Sequence, residues 1–454
     1  MIAPPMRFTT LRDPVHGDIE LSREEIAVLD TPEFQRLRGI KQLGTSYLVF
    51  PGATHTRFEH SIGTLHMADR LMTAMSRHAQ WAPDSFRAVD AGERRILRLA
   101  ALLHDVTHIP FGHNIEDQTG LLPRHDRPER FAAVLGDTEL GSVLDRLGVR
   151  AEVLAILQGG GAGLPAFAAQ VLSDTIDADL LDYLKRDAYY TGLELRYDQR
   201  VATYFCIDRA SERMFVHCEK AGMLREDIMS ELMRLLDMRY HFSERVYYHH
   251  AKIAGGALLA RMVEVALRAG AMDAARLQAS TDETLIADLG RLDLGDAAAT
   301  ERLRRFVGRF RRRQLPKRVL VLPAYLNAGV QQELIDTYFA PGRQDARFAW
   351  EAALEAEARR TFDRDLDVIM YCPQRSMQLK EARTLVRLPG SGDRILPLAA
   401  FSRQLPRLQD LEDSYPRLWK LYVFTSEPDK DVRRRLQEMC LAALPKGCVN
   451  ALTL

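Results

Sequence analysis

Leu99-Ala100-Ala101-Leu102-Leu103-His104-Asp105-Val106-Thr107-His108-Ile109-Pro110-Phe111-Gly112-His113 is the stretch whose reading decides the fold. Its apolar run, with Leu99, Leu102 and Leu103 at helical spacing, predicts a buried helix. That helix ends by presenting a histidine and an aspartate side by side. A core alone has no use for such a pair, because burying an ion without a partner costs several kcal/mol. A divalent cation would satisfy both, since neutral imidazole and carboxylate are standard metal ligands.

Two companions frame the pair. Upstream, Arg57-Phe58-Glu59-His60 opens an amphipathic helix that carries Ile62, Leu65, Met72 and Met75. Downstream, Asp174-Thr175-Ile176-Asp177-Ala178-Asp179-Leu180-Leu181-Asp182-Tyr183 is again helical. The order H…HD…D, each member on a helix-like segment, resembles the HD phosphohydrolase superfamily. The resemblance implies that His60, His104, Asp105 and Asp179 hold one divalent metal per site. Ligand type alone leaves Mg, Mn, Fe and Zn open. Asp177, Asp179 and Asp182 lie within six residues and would repel one another without a cation. An ion so held keeps open positions for water and for substrate phosphate, lowers the pKa of that water and neutralises phosphoryl charge.

Proton transfer needs a positioned group with a pKa near working pH, which histidine supplies. The candidates follow the His-Asp pair: His108, His113 and Glu116, with His125 beyond.

The rest of the chain sets bounds. At 454 residues it is long enough for two or three domains, and Lys plus Arg balances Asp plus Glu at 62 each. No charge bias points to nucleic acid or a membrane surface. Residues 1–7 read as neither a secretory nor a transit segment, and no apolar run approaches the ~18 residues of a membrane span. The five cysteines are scattered, which fits reduced thiols in a cytoplasmic protein. Residues 11–21 predict a hairpin, Ser22 with Glu25 a capping box for the helix 23–29, and Thr31-Pro32-Glu33 a further helix start capped by Thr31. Phe34, Leu37 and Ile40 then point inward, Gly44 stops the helix, and Tyr47–Gly52 is extended. Helices are expected at 60–79, 92–105, 127–146, 150–157, 165–190 and 221–268. Beyond about residue 318 come strand-like segments at 318–322, 366–371, 384–388 and 420–424, alternating with helices at 348–362 and 431–444. The expected fold is mainly α, an HD-domain helical core with a smaller α+β C-terminal lobe. It divides as residues 1–50 (hairpin and helices on the core), 51–310 (phosphohydrolase domain) and 311–454 (lobe for oligomerisation or regulation).

A narrower resemblance rests on Asp13-Pro14-Val15-His16-Gly17, the segment Asp30–Arg38, Lys41-Gln42-Leu43-Gly44, Val49-Phe50-Pro51-Gly52-Ala53 and Arg57-Phe58-Glu59-His60-Ser61. These are similar to the deoxynucleoside triphosphate triphosphohydrolases, both bacterial dGTPases and the animal enzyme that joins a sterile alpha motif to an HD domain. The likeness runs over nearly the whole chain, without the sterile alpha motif. It implies hydrolysis of a dNTP to deoxynucleoside and inorganic triphosphate. It further implies that Arg57 holds a phosphate, and that Gln42 and Leu43 flank the sugar, Leu43 crowding a 2′-hydroxyl. Asp177 and Tyr183 would line the sugar pocket, and Arg239 and Tyr247 would close over phosphates or base. His108, His113, Glu116 and His125 match acid/base positions of one or another member. Leu180 stands where the family has a triphosphate-contacting lysine, and Tyr248 where it has a glutamine near the base.

The same resemblance implies an activating nucleotide (GTP or a dNTP) at a subunit interface, bound by Asp30, Gln35, Arg38, Val49, Phe50, Arg313, Leu315 and Lys317, and a homo-oligomer, dimer or tetramer. Leu303, Phe306, Val307 and Phe310 make one apolar stripe, so the arginines of 302–318 read in part as the wet face of a helix. Arg311-Arg312-Arg313 lies past the stripe and suits phosphate oxygens. Without interleaved exposed aromatics it suits nucleic acid less well. Two alternatives to the dNTPase stand: a phosphomonoesterase or phosphodiesterase acting on another nucleotide, and a nucleotide- or nucleic-acid-binding regulator with an inactive site.

Overall fold

The computed structural model describes residues 8–116, 122–161, 163–372, 383–392 and 394–454; residues 1–7, read above for targeting character, lie outside it. A hairpin, β1 (Thr9–Asp13) and β2 (Gly17–Leu21), opens the chain and pairs Thr9 with Leu21 and Asp13 with Gly17. The capping box starts α1 (Arg23–Leu29): the Glu25 N–H donates to Ser22 Oγ, and Glu25 Oε2 accepts from the Ser22 N–H at 2.8 Å. Thr31 occupies the next N-cap position, but its hydroxyl donates back to the Val28 carbonyl and caps nothing. Phe34, Leu37 and Ile40 are fully buried. Tyr47 and Leu48 are not extended but belong to the 3-10 turn Gly44–Leu48. There the Thr45 N–H donates to Asn114 Oδ1 at 3.1 Å and the Thr45 hydroxyl to the Lys252 carbonyl.

Three helices form the frame of the body. α2 (Arg57–Trp81) runs through its centre, and α3 (Ala91–Leu103) and α4 (Ala178–Thr191) lie against it. Asp90 and Glu93 cap α3 reciprocally. Leu99, Leu102 and Leu103 are at most 1% exposed, and each contributes about 1.5–3 kcal/mol through burial. Expected helices break where the sequence supplies a cap. The 127–146 segment becomes Pro128–Leu135 and Glu139–Leu147, with Thr138 accepting from Gly141 N–H. The 165–190 segment becomes Ala166–Ser173 and α4, with Asp177 accepting from the Leu180 N–H. The 221–268 segment becomes α5 (Glu226–Phe242) and α6 (His250–Arg268), parted by a π turn at Ser243–Tyr247.

A second core lies beneath α6 and α7 (Ala297–Arg311), where Leu303, Phe306, Val307 and Phe310 are buried. It extends to one face of an antiparallel sheet ordered β5 (Lys317–Pro323), β8 (Lys420–Thr425), β6 (Val368–Tyr371). On β8, Tyr422 and Phe424 face this core, while Leu421 and Val423 face a third one. The strands read as continuous apolar runs because they are buried on both sides. The third core also takes in α8 (Gln344–Phe362) and α9 (Lys430–Ala442). The expected boundary near residue 310 is therefore crossed by packing. Buried ion pairs reinforce the join: Arg261 on α6 meets Glu351 on α8 at 2.6 Å, and Arg347 on α8 meets Glu264 on α6. One expectation is corrected. The strand β7 (Leu385–Arg387), placed in the C-terminal lobe above, joins the helical body instead. It pairs in parallel with β4 (Met214–His217), which pairs with β3 (Phe205–Ile207). Val386 belongs to the core of the body, so burial decided its place.

Gly63 sits where α2 packs against α4: a Cβ there would lie 1.9 Å from Asp182 Oδ1 and 2.3 Å from an Arg186 nitrogen. Gly63→Ala is expected to destabilise the fold by about 1–3 kcal/mol, read as a lowered midpoint in urea unfolding.

Candidate metal centre

His60 stands one turn into α2, His104 is the C-cap of α3, Asp105 follows it, and Asp179 lies in the first turn of α4. The crossing of these helices brings the four side chains together. His60 Nε2 is 2.9 Å from Asp179 Oδ1 and 3.6 Å from Asp105 Oδ2. His104 Nε2 is 3.1 Å from His60 Nε2, and 3.6 Å from both Asp105 Oδ1 and Asp179 Oδ1.

The hydrogen bonds on the far side of each ring assign the tautomers. The Ala101 carbonyl, 2.9 Å from His104 Nδ1, can only accept, so Nδ1 carries a proton. His60 Nδ1 is 2.7 Å from Asp182 Oδ2. Asp182 resists ionisation through burial, but Arg186 and its imidazole partners hold its carboxyl well below the usual range, so it also accepts. Neutral rings thus turn two Nε2 lone pairs towards each other, with two carboxylates beside them. This donor set fits a divalent cation: outer partners fix each ring and two imidazoles and two carboxylates face inward. In the absence of a cation a proton can take that place: burial opposes it, yet Asp179 and Asp182 raise His60 to about 10.

A second set of groups adjoins the first. His108 Nε2 is 3.2 Å from Asp105 Oδ1, and its Nδ1 is 3.2 Å from Glu116 Oε1. Glu116 Oε2 is 2.9 Å from His125 Nδ1. The His108 and His125 rings stack with centroids 3.8 Å apart, and His113 packs edge-on to both. Burial and the adjacent His108 lower His125 to about 4, so it is neutral at pH 7. Glu116 is ionised: burial opposes this, but His108 and His125 hold its carboxyl well below the usual range.

Two residues that the sequence reading passed over hold this loop. Arg36 donates to the Val106, His108 and Ser280 carbonyls at 3.0, 2.8 and 3.2 Å. Asp282 accepts from the Phe111 and Lys41 N–H groups at 2.8 and 3.0 Å. Arg36 lies within the segment Asp30–Arg38 and Asp282 far from any motif, and in both cases only tertiary contact reveals the clamp.

Arg57 lies 2.5 Å from Asp105 Oδ2, and its Nε and Gln42 Oε1 are buried with no hydrogen-bond partner among the described residues. Leu43 is buried. Asp177 is held well above the usual carboxylate range by burial and by Asp179. Tyr183, Tyr247 and Asp177 all act electrostatically on Arg239, whose charge they favour against burial. The Tyr247 hydroxyl donates to Asp187 Oδ2 at 2.6 Å, and His55 Nε2 meets Asp187 Oδ1 at 3.0 Å.

The residues expected at an activating site fall into two groups. Gln35 donates to the Leu29 carbonyl and accepts from Arg38, whose guanidinium lies 3.4 Å over Phe58, and Asp30 is exposed beside them at the end of α1. Arg313 Nε donates to the Leu48 carbonyl at 2.6 Å, next to Val49 and Phe50, while Leu315 packs on the second core and Lys317 is exposed at the start of β5. Arg302 and Arg309 pair with Asp367, whereas Arg304, Arg305, Arg311 and Arg312 are exposed.

Residues 57–186 match the HD domain, and residues 233–444 match the HD associated region. This is an HD-domain protein. An uncharacterized Bacillus subtilis protein, YwfO, is 33% identical over 267 residues, 56% of this chain and 54% of that one. The mouse (Mus musculus) deoxynucleoside triphosphate triphosphohydrolase SAMHD1 is 30% identical over 278 residues, 52% of this chain and 41% of that one. The chain thus spans about half, or less, of the length of these relatives. A hypothetical protein from Aquifex aeolicus shares the fold, with a TM-score of 0.65 and 20% identity over 97% of this chain and all of that one. No described helix of this HD-domain protein is long and apolar enough to cross a membrane.

Burial raises the Asp282 carboxyl to about 6, above the ~3.9 of an unfolded chain. A raised carboxyl lends stability at low pH and loses it as pH rises through the folded value. The stability difference between wild type and Asp282→Asn is therefore expected to shift against the wild type between about pH 4 and 6, and to stay level above pH 7. Urea unfolding across that range measures it.

Proposed function

We propose that this HD-domain protein hydrolyses deoxynucleoside triphosphates to deoxynucleoside and inorganic triphosphate, with one divalent metal held by His60, His104, Asp105 and Asp179. The observation that carries the reading is the facing pair of His60 and His104 Nε2 atoms, 3.1 Å apart and flanked by carboxylates. When bound, the ion supplies Lewis acidity for phosphoryl oxygen and a more acidic water. The chain supplies the rest. Arg57, with its unpartnered Nε, is placed to hold a phosphate oxygen. His108, steadied by ionised Glu116, is placed to move a proton beside Asp105, and His125, neutral and stacked on it, to accept one. Gln42 and Leu43 face the sugar, with Asp177, Tyr183, Arg239 and Tyr247 around the remainder of the nucleotide. The named activity of the SAMHD1 relative supports this substrate class. By the same likeness, the groups around Arg38 and Arg313 would take an activating nucleotide where subunits of a homo-oligomer meet.

A second reading has its own observation. Leu180 is buried in the first turn of α4 and offers no cation to a triphosphate. That absence favours a smaller phosphate ester or a diester. Incubation with each dNTP and Mn²⁺, with and without GTP, separates the two: inorganic triphosphate is the expected product, and orthophosphate or a nucleoside monophosphate without it would favour the second. Turnover is expected to fall to background in EDTA and in a His104→Ala/Asp105→Ala variant, and turnover that survives both would refute the metal mechanism.

A further inference from the structure

We propose that His16, at the turn of the N-terminal hairpin, is a positioning residue for the metal centre: with the Asp13–Arg186 pair it locks Asp182, and through Asp182 it sets the orientation of His60. This rests on the metal reading of the site.

Asp182 is fully buried, and each of its oxygens receives two donors. Oδ1 lies 2.6 Å from His16 Nε2 and 3.0 Å from an Arg186 terminal nitrogen. Oδ2 lies 2.7 Å from His60 Nδ1 and 2.9 Å from Arg186 Nε. A carboxylate offers about four acceptor sites, so this one is saturated and has a single orientation available. His60 is thereby held with Nδ1 as donor and Nε2 towards Asp179 and His104. Asp13 anchors both other partners. Its Oδ2 accepts from Arg186 at 2.8 Å, and its Oδ1 accepts from the Val15 and His16 N–H groups at 2.9 and 2.7 Å. The turn is closed by Gly17 at φ +84° and pinned by Lys185 Nζ to the Val15 carbonyl at 2.8 Å. The hairpin lies outside residues 57–186, yet its tip completes the second layer of contacts around the centre.

Stability alone explains this arrangement poorly. The side chains of His16, Asp182 and Arg186 are at most 1% exposed, and an apolar plug of similar volume is commonly as stable as a buried ion cluster, or more so. What the polar cluster adds is direction, which outer partners of metal-bound histidines characteristically provide.

The test is Mn²⁺ affinity of the full chain after chelation, measured by calorimetry, with thermal unfolding of every variant alongside. His16→Ala is expected to weaken binding by about 10–100-fold, whereas His16→Gln, whose amide can still donate to Asp182, recovers most of it. Wild-type affinity in His16→Ala overturns the proposal. So does an equal loss in His16→Ala and His16→Gln, because a donated hydrogen bond is then not what matters. If His16→Ala does not fold, Asp13→Asn is read instead: weakened binding supports the proposal, and wild-type affinity overturns it. A wild-type chain that binds no Mn²⁺ sinks the metal reading itself, and this inference with it.

Discussion

Two imidazole nitrogens 3.1 Å apart, each with its other ring nitrogen already committed as a donor, need a positive charge between them. Much of the surrounding structure serves that requirement. α2 and α3 deliver the rings, α4 delivers Asp179, and the Ala101 carbonyl and Asp182 decide which way each ring faces. In low dielectric an unpaired version of this cluster would be expensive. Such a collection of side chains makes physical sense as a cation holder.

The adjoining histidines extend the same logic. Asp105 touches both sets, facing Arg57 and His60 through one oxygen and His104 and His108 through the other. Charge held at the first set is thus felt at His108, and Glu116 passes it to His125. The loop that carries these groups has little regular structure of its own. It is held from outside by Arg36, which burial lowers only to about 10 and leaves cationic, and by Asp282. A site built on loop backbone needs such clamps, because packing of apolar faces fixes helices far better than turns.

How much of this was legible in the chain follows from how local each signal is. The buried helix 91–103, the hairpin, the Ser22–Glu25 box and the apolar strands at 317–323 and 420–425 rest on periodicity and caps a few residues apart. Where a long helical pattern hid a break, the stop lay in a polar cap (Thr138, Asp177) or in a tertiary bond, as where the π turn brings Tyr247 to Asp187. The misplaced strand 385–387 shows the limit: its apolar residues announced a strand, but no local feature names the partner it pairs with at 214–217.

The sequence by itself determined a mainly helical HD-domain fold and which imidazoles and carboxylates were candidates for its centre, since short-range pattern and side-chain chemistry are properties of the chain. Only the tertiary structure decided how those groups face one another. It decided that Asp182 saturates its oxygens on His16, His60 and Arg186, that Arg36 and Asp282 clamp a distant loop, and that the lobe shares a core with the body. These depend chiefly on contacts between residues seventy or more positions apart, and such contacts exist only once burial has brought the helices together.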